Sequence, residues 1–244
     1  MFGKVLSSLG IGGATVDAVL ESTDVEVGRV LRAEIRIKGG TARQEIRSVD
    51  LELATRCLVE GPGDRKIHSD IILAAGRVEI GDVEAGEELS FPIEMHVPDS
   101  APISIGSTRS FLRTRLDVPG AVDPKDEDLV NILPSPTMTA VLQGVQEAGF
   151  RLVETEVEYD RRRVPPFVQD FDFRPTGFGD FGIEEVEISF VPVAGGVEVL
   201  LTVDNRGGFF LAGREKTARI RVDHAEAARI DMGRELRRAI EQLR

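Results

Sequence analysis

Val122-Asp123-Pro124-Lys125-Asp126-Glu127-Asp128-Leu129-Val130-Asn131-Ile132-Leu133-Pro134, VDPKDEDLVNILP, lies near the middle of a 244-residue chain, and its reading decides whether the chain is one large domain or two. Four carboxylates fall within six residues. Asp-Pro starts a turn, the charges resist burial, and Leu129 to Leu133 can run as a strand before Pro134 ends it. Asp123, Pro124, Lys125, Asp126, Glu127 and Asp128 are therefore read as an interdomain connector. A plain solvated turn is the competing reading. An EF-hand is excluded by position: counting from Asp123, the third residue is Lys125, the sixth is Asp128 rather than Gly, and the twelfth is Pro134 rather than Glu. A calcium site of another kind on Asp126 and Asp128, or a glycosidase-type carboxylate pair, stays open as an alternative, since neither is decided by spacing.

On the N-terminal side of this stretch, short apolar alternations recur. Thr15 to Glu21, Val30 to Ile37, Ile46 to Leu58, Lys66 to Ala74, Glu88 to Val97 and Arg109 to Leu116 carry the period of two that marks strands. Gly39-Gly40, Gly61-Pro62-Gly63-Asp64 and Pro98-Asp99-Ser100-Ala101-Pro102 punctuate them as turns. The pattern predicts an antiparallel β-sandwich over residues 1–128. On the C-terminal side, Met138, Val141, Leu142 and Val145 share one helical face over about 136–148, with Ser135 as cap, Pro136 in the first turn and Gly149 as a left-handed stop. Strand text resumes in Phe150 to Tyr159, Phe167 to Phe173, Ile183 to Pro192, Val197 to Asp204 and Ala218 to Val222. A closing helix is expected between Asp223 and Leu243, with Asp223 and Glu226 at capping-box spacing and Ile230, Leu236, Ile240 and Leu243 facing a core. Residues 129–244 thus form a second β-sandwich domain, and the chain is mainly β with few short helices.

Composition agrees with a globular fold: 41% of residues are apolar and 30% charged, and no run of about 18 apolar residues would span a bilayer. The net charge of −12 is shared, with 15 Lys and Arg against 23 Asp and Glu up to Pro134 and 15 against 19 beyond it. Neither half is a basic module, so no nucleic-acid partner is predicted. The lone cysteine, Cys57, cannot form an internal disulfide, which fits a reducing cytoplasm, and its alternating setting marks it as a small core residue. Phe2, Val5, Leu6 and Leu9 suit one face of a short docked leading helix better than a signal peptide. Membrane contact is expected at most peripherally, through that helix.

Four further segments, in order along the chain, carry a family resemblance. They are Leu9-Gly10-Ile11-Gly12 with Ala14-Thr15-Val16-Asp17, Gly39-Gly40 with Gln44-Glu45-Ile46, Ala121 to Asp128, and Pro166-Phe167-Val168-Gln169-Asp170-Phe171-Asp172-Phe173-Arg174-Pro175. The sequence resembles the bacterial sporulation-control protein M family. The resemblance implies an arrestin-like arrangement of two antiparallel β-sandwich domains and a regulatory role, with no chemistry attached.

Catalytic constellations are not visible. His68, His96 and His224 are isolated from one another and from Cys57, so no chelating set is spelled out. No Gly-x-Ser-x-Gly elbow occurs, and Gly10-Ile11-Gly12-Gly13-Ala14-Thr15 lacks the Gly-Lys-Ser/Thr ending of a phosphate loop. No cofactor is predicted. The candidate interaction surface comprises Arg161, Arg162 and Arg163, read as a hairpin tip suited to carboxylate pairing, and the loop aromatics Phe178, Phe181, Phe209 and Phe210. The sequence is thus read as a non-enzymatic cytoplasmic adaptor with protein partners and, through open strand edges, a weak homodimer. A ligand- or carbohydrate-binding sandwich, calcium-dependent or not, is the alternative.

Overall fold

The computed structural model describes residues 13–60, 66–177, 182–205 and 215–244. The leading helix expected over Phe2 to Leu9 lies outside the described residues. The chain divides into two compact units. The first takes the chain up to Arg56, then Asp70–Ala101 and Arg109–Ile132, and the second takes Cys57–Ser69, Pro102–Thr108 and Leu133–Arg244. The boundary expected between residues 128 and 129 therefore falls after Ile132. It does so because Val130 and Ile132 are buried in the first unit as strand residues. Two segments of the first half, 57–69 and 102–108, belong to the second unit.

The first unit contains β1 (Thr15–Leu20), β2 (Asp24–Glu26), β3 (Val30–Lys38), β6 (Glu88–His96), β7 (Ser110–Asp117) and β8 (Lys125–Leu133), with most of β4 (Gln44–Glu60) and β5 (Lys66–Val83). One sheet runs β1-β3-β6, all antiparallel. Alternation turns Leu31, Ala33, Ile35 and Ile37 of β3 inward. In the other sheet β4 is followed by β7, β8 and β2, and β5 pairs with β4. Val49, Leu51 and Leu53 of β4 and Leu112 and Leu116 of β7 bury the facing side. β2 was not apparent in the sequence. β5 continues past Ala74, where the strand was expected to end, because Val78 and Ile80 extend the alternation beyond Gly76.

The second unit is built on the antiparallel order β9 (Phe150–Tyr159), β10 (Phe167–Pro175), β11 (Ile183–Val193), β12 (Gly196–Asn205) and β13 (Glu215–Asp223). One face is apolar: Phe171 lies opposite Ile188, which lies opposite Leu201, and all three are fully buried. The segment 102–108 is tied in by side chains of β9 and β10. Buried Gln169 accepts from the Ile103 N–H at 2.8 Å and donates to the Ile103 carbonyl at 2.9 Å, and Thr155 Oγ1 donates to the Ile105 carbonyl at 2.9 Å.

Helix α1 (Pro136–Glu147) starts as the sequence predicts, with the Ser135 hydroxyl accepting from the Met138 N–H at 3.2 Å, and is followed by Gly149 at φ 103°. The closing helix is broken into α2 (His224–Ala227) and α3 (Met232–Leu243). Asp223 makes no side-chain cap, because its carboxylate accepts from Arg221 Nε at 2.9 Å; the capping carboxylate is Asp231, which accepts from the Arg234 N–H at 3.0 Å. Leu236 and Ile240 are buried as expected, whereas Ile230, in the break, is 40% exposed. The mainly β, two-unit antiparallel fold class expected from the sequence is the one observed.

Helices α1 and α3 pack against each other at Gly144 of α1 and Gly233 of α3. A Cβ on Gly144 would lie 2.6 Å from Met232 Cγ, closer than side chains come, and 3.0 Å from the Met232 backbone, a tight contact. Gly144→Ala is therefore expected to lower stability by about 1–3 kcal/mol, as overpacked cores do. Urea unfolding checks it, and a far-ultraviolet circular dichroism spectrum like that of the parent shows that the fold survives.

Candidate functional site

The acidic stretch at 122–134 is not a loop between units. From Lys125 it is strand β8, paired with β7 so that Thr114 faces Asp126, Arg113 faces Glu127 and Leu112 faces Asp128. Period two then sorts its side chains. Lys125, Glu127 and Leu129 point outward and are exposed, while Asp126 and Asp128 share the inward side with buried Val130 and Ile132. Asp126 accepts a hydrogen bond from the backbone N–H of Ala18 at 2.8 Å. Ala18 is completely buried, and its strand, β1, is the edge of the three-stranded sheet. The Asp126 carboxylate therefore takes a donor that strand pairing leaves over, which explains why a charged group is held on the inward side. Asp123 closes the preceding turn by accepting from the Val118 N–H at 3.2 Å, and Pro124 passes its carbonyl to the Leu116 N–H at 3.0 Å.

Outward-facing charges of the first unit alternate in sign across strands. Glu127 accepts from Arg113 Nε at 2.7 Å, Arg113 also pairs with Asp70, and Asp70 accepts from Arg56 Nε at 3.1 Å. Phe111 lies under both guanidinium groups, at 5.4 Å from Arg56 and 5.7 Å from Arg113. Nearby, Asp50 receives Arg115 at 2.7 Å and Arg77 at 3.1 Å. Burial pushes the Asp50 and Asp70 carboxyls up, but the hydrogen bonds from Arg115 and Ser48 to the one, and from Arg113 and Arg56 to the other, together with these charges, hold both below the usual carboxylate range. Their protonation on acidification removes that stabilisation. Among the described residues no group of three or more His, Cys, Asp or Glu side chains is placed to hold a metal ion.

Arg161, Arg162 and Arg163 occupy the turn between β9 and β10. Asp160 accepts from the Arg162 N–H at 3.0 Å and lies 3.5 Å from the Arg162 side chain and 3.7 Å from that of Arg163. The Arg162 side chain is 91% exposed. Phe178, Phe181, Phe209 and Phe210 lie outside the described residues.

Sequence reasoning missed a second charged surface. On the outward side of the second unit's sheet, β9 presents Glu154, Glu156 and Glu158, β10 presents Asp170 and Asp172, and β11 presents Glu185 and Glu187. The signal was in the text, as carboxylates at strict alternate positions on three successive strands. Burial, followed by the charges of Glu187 and Glu158, pushes Asp170 up to about 7, against the opposing pull of Arg163. Burial, followed by the charges of Glu185 and Glu187, raises Asp172 to about 6.

Comparison with known proteins adds three findings. The sequence model of the SpoOM protein family matches residues 2–207. The sporulation-control protein spo0M of Bacillus subtilis is 34% identical over 214 residues, which is 84% of this chain and 81% of that protein. The crystal structure of the Bacillus subtilis sporulation-control protein superposes with a TM-score of 0.85 at 29% identity, covering 96% of this chain and 100% of that one.

The two kinds of carboxylate on β8 separate by substitution. Asp126→Ala leaves the buried Ala18 N–H without its acceptor and is expected to cost about 1–3 kcal/mol. Asp126→Asn retains an amide oxygen that can accept, so most of the loss is recovered. Glu127→Gln removes one partner of an exposed ion pair and changes stability by less than about 1 kcal/mol. Denaturant unfolding of the three variants beside the parent gives the ranking.

Proposed function

This chain belongs to the SpoOM protein family, and we propose that it is a non-enzymatic regulatory protein of the bacterial cytoplasm, acting in sporulation control or a related process by holding other proteins on its β surfaces. The observation that carries the reading is its 34% identity, over 84% of the chain, to a protein named for control of a process and not for a reaction. Cys57, the single cysteine, is buried and has no second cysteine in this chain to pair with, in keeping with a reducing compartment. No helix among the described residues is long and apolar enough to cross a membrane.

The Arg161–Arg163 turn is the partner surface proposed here. Its guanidinium groups are presented on a tight hairpin, and Arg is suited to bidentate pairing with carboxylates of an acidic partner. Open strand edges supply a second kind of contact, giving a weak homodimer.

Affinity capture from the native host, run in parallel with the parent chain and a variant carrying Arg161→Glu, Arg162→Glu and Arg163→Glu, tests the adaptor reading. The expected result is a reproducible set of proteins held by the parent and lost from the variant, together with loss of complementation in a deletion strain. Full complementation by the variant would remove the turn as the partner surface. Turnover of a metabolite by the purified chain would overturn the non-enzymatic reading. For self-association, sedimentation is expected to show a monomer–dimer equilibrium, and monomer alone at high micromolar concentration would remove it.

A further inference from the structure

The strand edges of the first unit are not alike. An edge offers backbone N–H and C=O groups to any extended chain, and β1, β6 and β2 each carry a device against it. At β1 the Asp126 carboxylate takes the Ala18 N–H at 2.8 Å. β6 carries Pro92, which has no N–H to give an incoming strand. β2 is only three residues long. β5 has none of these devices. It runs for 18 residues, and among the described residues it pairs with β4 alone. From Asp70 to Ile80 it has neither Pro nor Lys, and Ile71-Ile72-Leu73-Ala74-Ala75-Gly76 carries no charge. Ile72 is 56% exposed.

The two charges that flank this run are opposite in sign. Asp70 accepts from Arg56 and pairs with Arg113, and Arg77 reaches Asp50 at 3.1 Å and Asp117 at 3.3 Å. All four partners stand on the outward side of β4 and β7, so Asp70 and Arg77 both point outward. They are seven positions apart, where strict alternation sets side chains on opposite faces, so β5 takes up one extra residue between them. Two β5 edges that meet about a two-fold axis run antiparallel, and every contact occurs twice. With the axis between Leu73 and Ala74, Asp70 of each copy lies opposite Arg77 of the other, Ile72 opposite Ala75 and Ile71 opposite Gly76. The extra residue is present in both strands, so the count between the two charge pairs is equal. A slip of one residue in either direction sets Asp70 against Gly76 or Val78 and Arg77 against Ser69 or Ile71, and both charge pairs are lost.

We infer that the outer edge of β5, from Asp70 to Ile80, is the self-association surface of this chain, and that its occupant is β5 of a second copy, antiparallel, with Asp70 opposite Arg77. The inference rests on the homodimer proposed above and assigns it to one edge and one register. The pairing gives the outer backbone groups of β5 their partners and covers Ile72. It also joins the ion-paired rows of the two copies, Arg113 and Asp70 of one running on to Arg77 and Asp50 of the other.

Sedimentation of the full chain and two variants, up to high micromolar concentration, tests edge and register separately. Ile72→Lys puts on β5 the charge that natural edges use against pairing, at an exposed position, so the circular dichroism spectrum should be unchanged while the dimer dissociation constant rises about tenfold or more. Arg77→Gln removes one member of each opposed pair, with an expected rise of about threefold and a weaker dependence on salt than the parent shows. Hydrogen exchange followed by mass spectrometry locates the contact: peptides within 70–80 should gain protection as concentration rises, and those of β1 and β3 should not. Parent chain that stays monomeric overturns the inference together with the self-association on which it rests. A dimer that Ile72→Lys leaves intact, or β5 protection independent of concentration, removes this edge while self-association stands. A dimer indifferent to both Arg77→Gln and salt removes the register. Protection of β5 that appears only on adding host lysate assigns the edge to a strand of another protein and defeats the inference as well.

Discussion

A buried backbone donor or acceptor has no water to turn to, and in a chain made almost entirely of strands this governs every place where pairing stops. At β1 the Ala18 N–H is left over by the sheet, and the Asp126 carboxylate takes it. In the second unit, the Ile103 N–H and carbonyl are both taken by the Gln169 amide, which offers one acceptor and one donor as a neighbouring strand would. In both cases a polar side chain on the inward side of a strand accepts from a backbone N–H of another segment. An apolar residue at either position would add buried surface while leaving a donor stranded.

The same alternation that buries one side of each strand concentrates charge on the other, and the two units use this differently. Across the first, acidic and basic residues face one another, as in Glu127 with Arg113 and Asp50 with Arg115. Repulsion is relieved by ion pairing there, and Phe111 beneath two guanidinium groups steadies the arrangement. Across β9 to β11, acid faces acid. The contrast resides in which residue types occupy outward positions, since the backbone geometry of the two antiparallel sheets is of one kind.

Much of this architecture was legible from period and punctuation. The five strands from Phe150 to Asp223 and helix α1 with its Ser135 cap were read within a few residues of their observed bounds, because each depends on neighbours close in sequence. Legibility failed where a side chain has to choose between partners. Asp223 and Asp231 are equally suited to cap a helix, and only the competing guanidinium of Arg221 diverts the first. The acidic stretch at 123–128 looked like a connector because four carboxylates in sequence suggest solvent; register with β7 places two of them inward, and register is a property of the folded sheet. The acidic rows of β9 to β11 were spelled out strand by strand, but that they stand abreast follows only from pairing.

The bond between Asp126 and Ala18 joins positions 108 residues apart. On a ribosome adding about 5–20 residues each second, roughly 5–20 s separate the appearance of that edge from the appearance of the group that covers it. Throughout that interval the nascent β1 offers an open backbone donor to any extended segment, its own or a neighbour's. Completion of the first unit is thereby tied to translation of Asp126, and a pause before that codon lengthens the period of exposure.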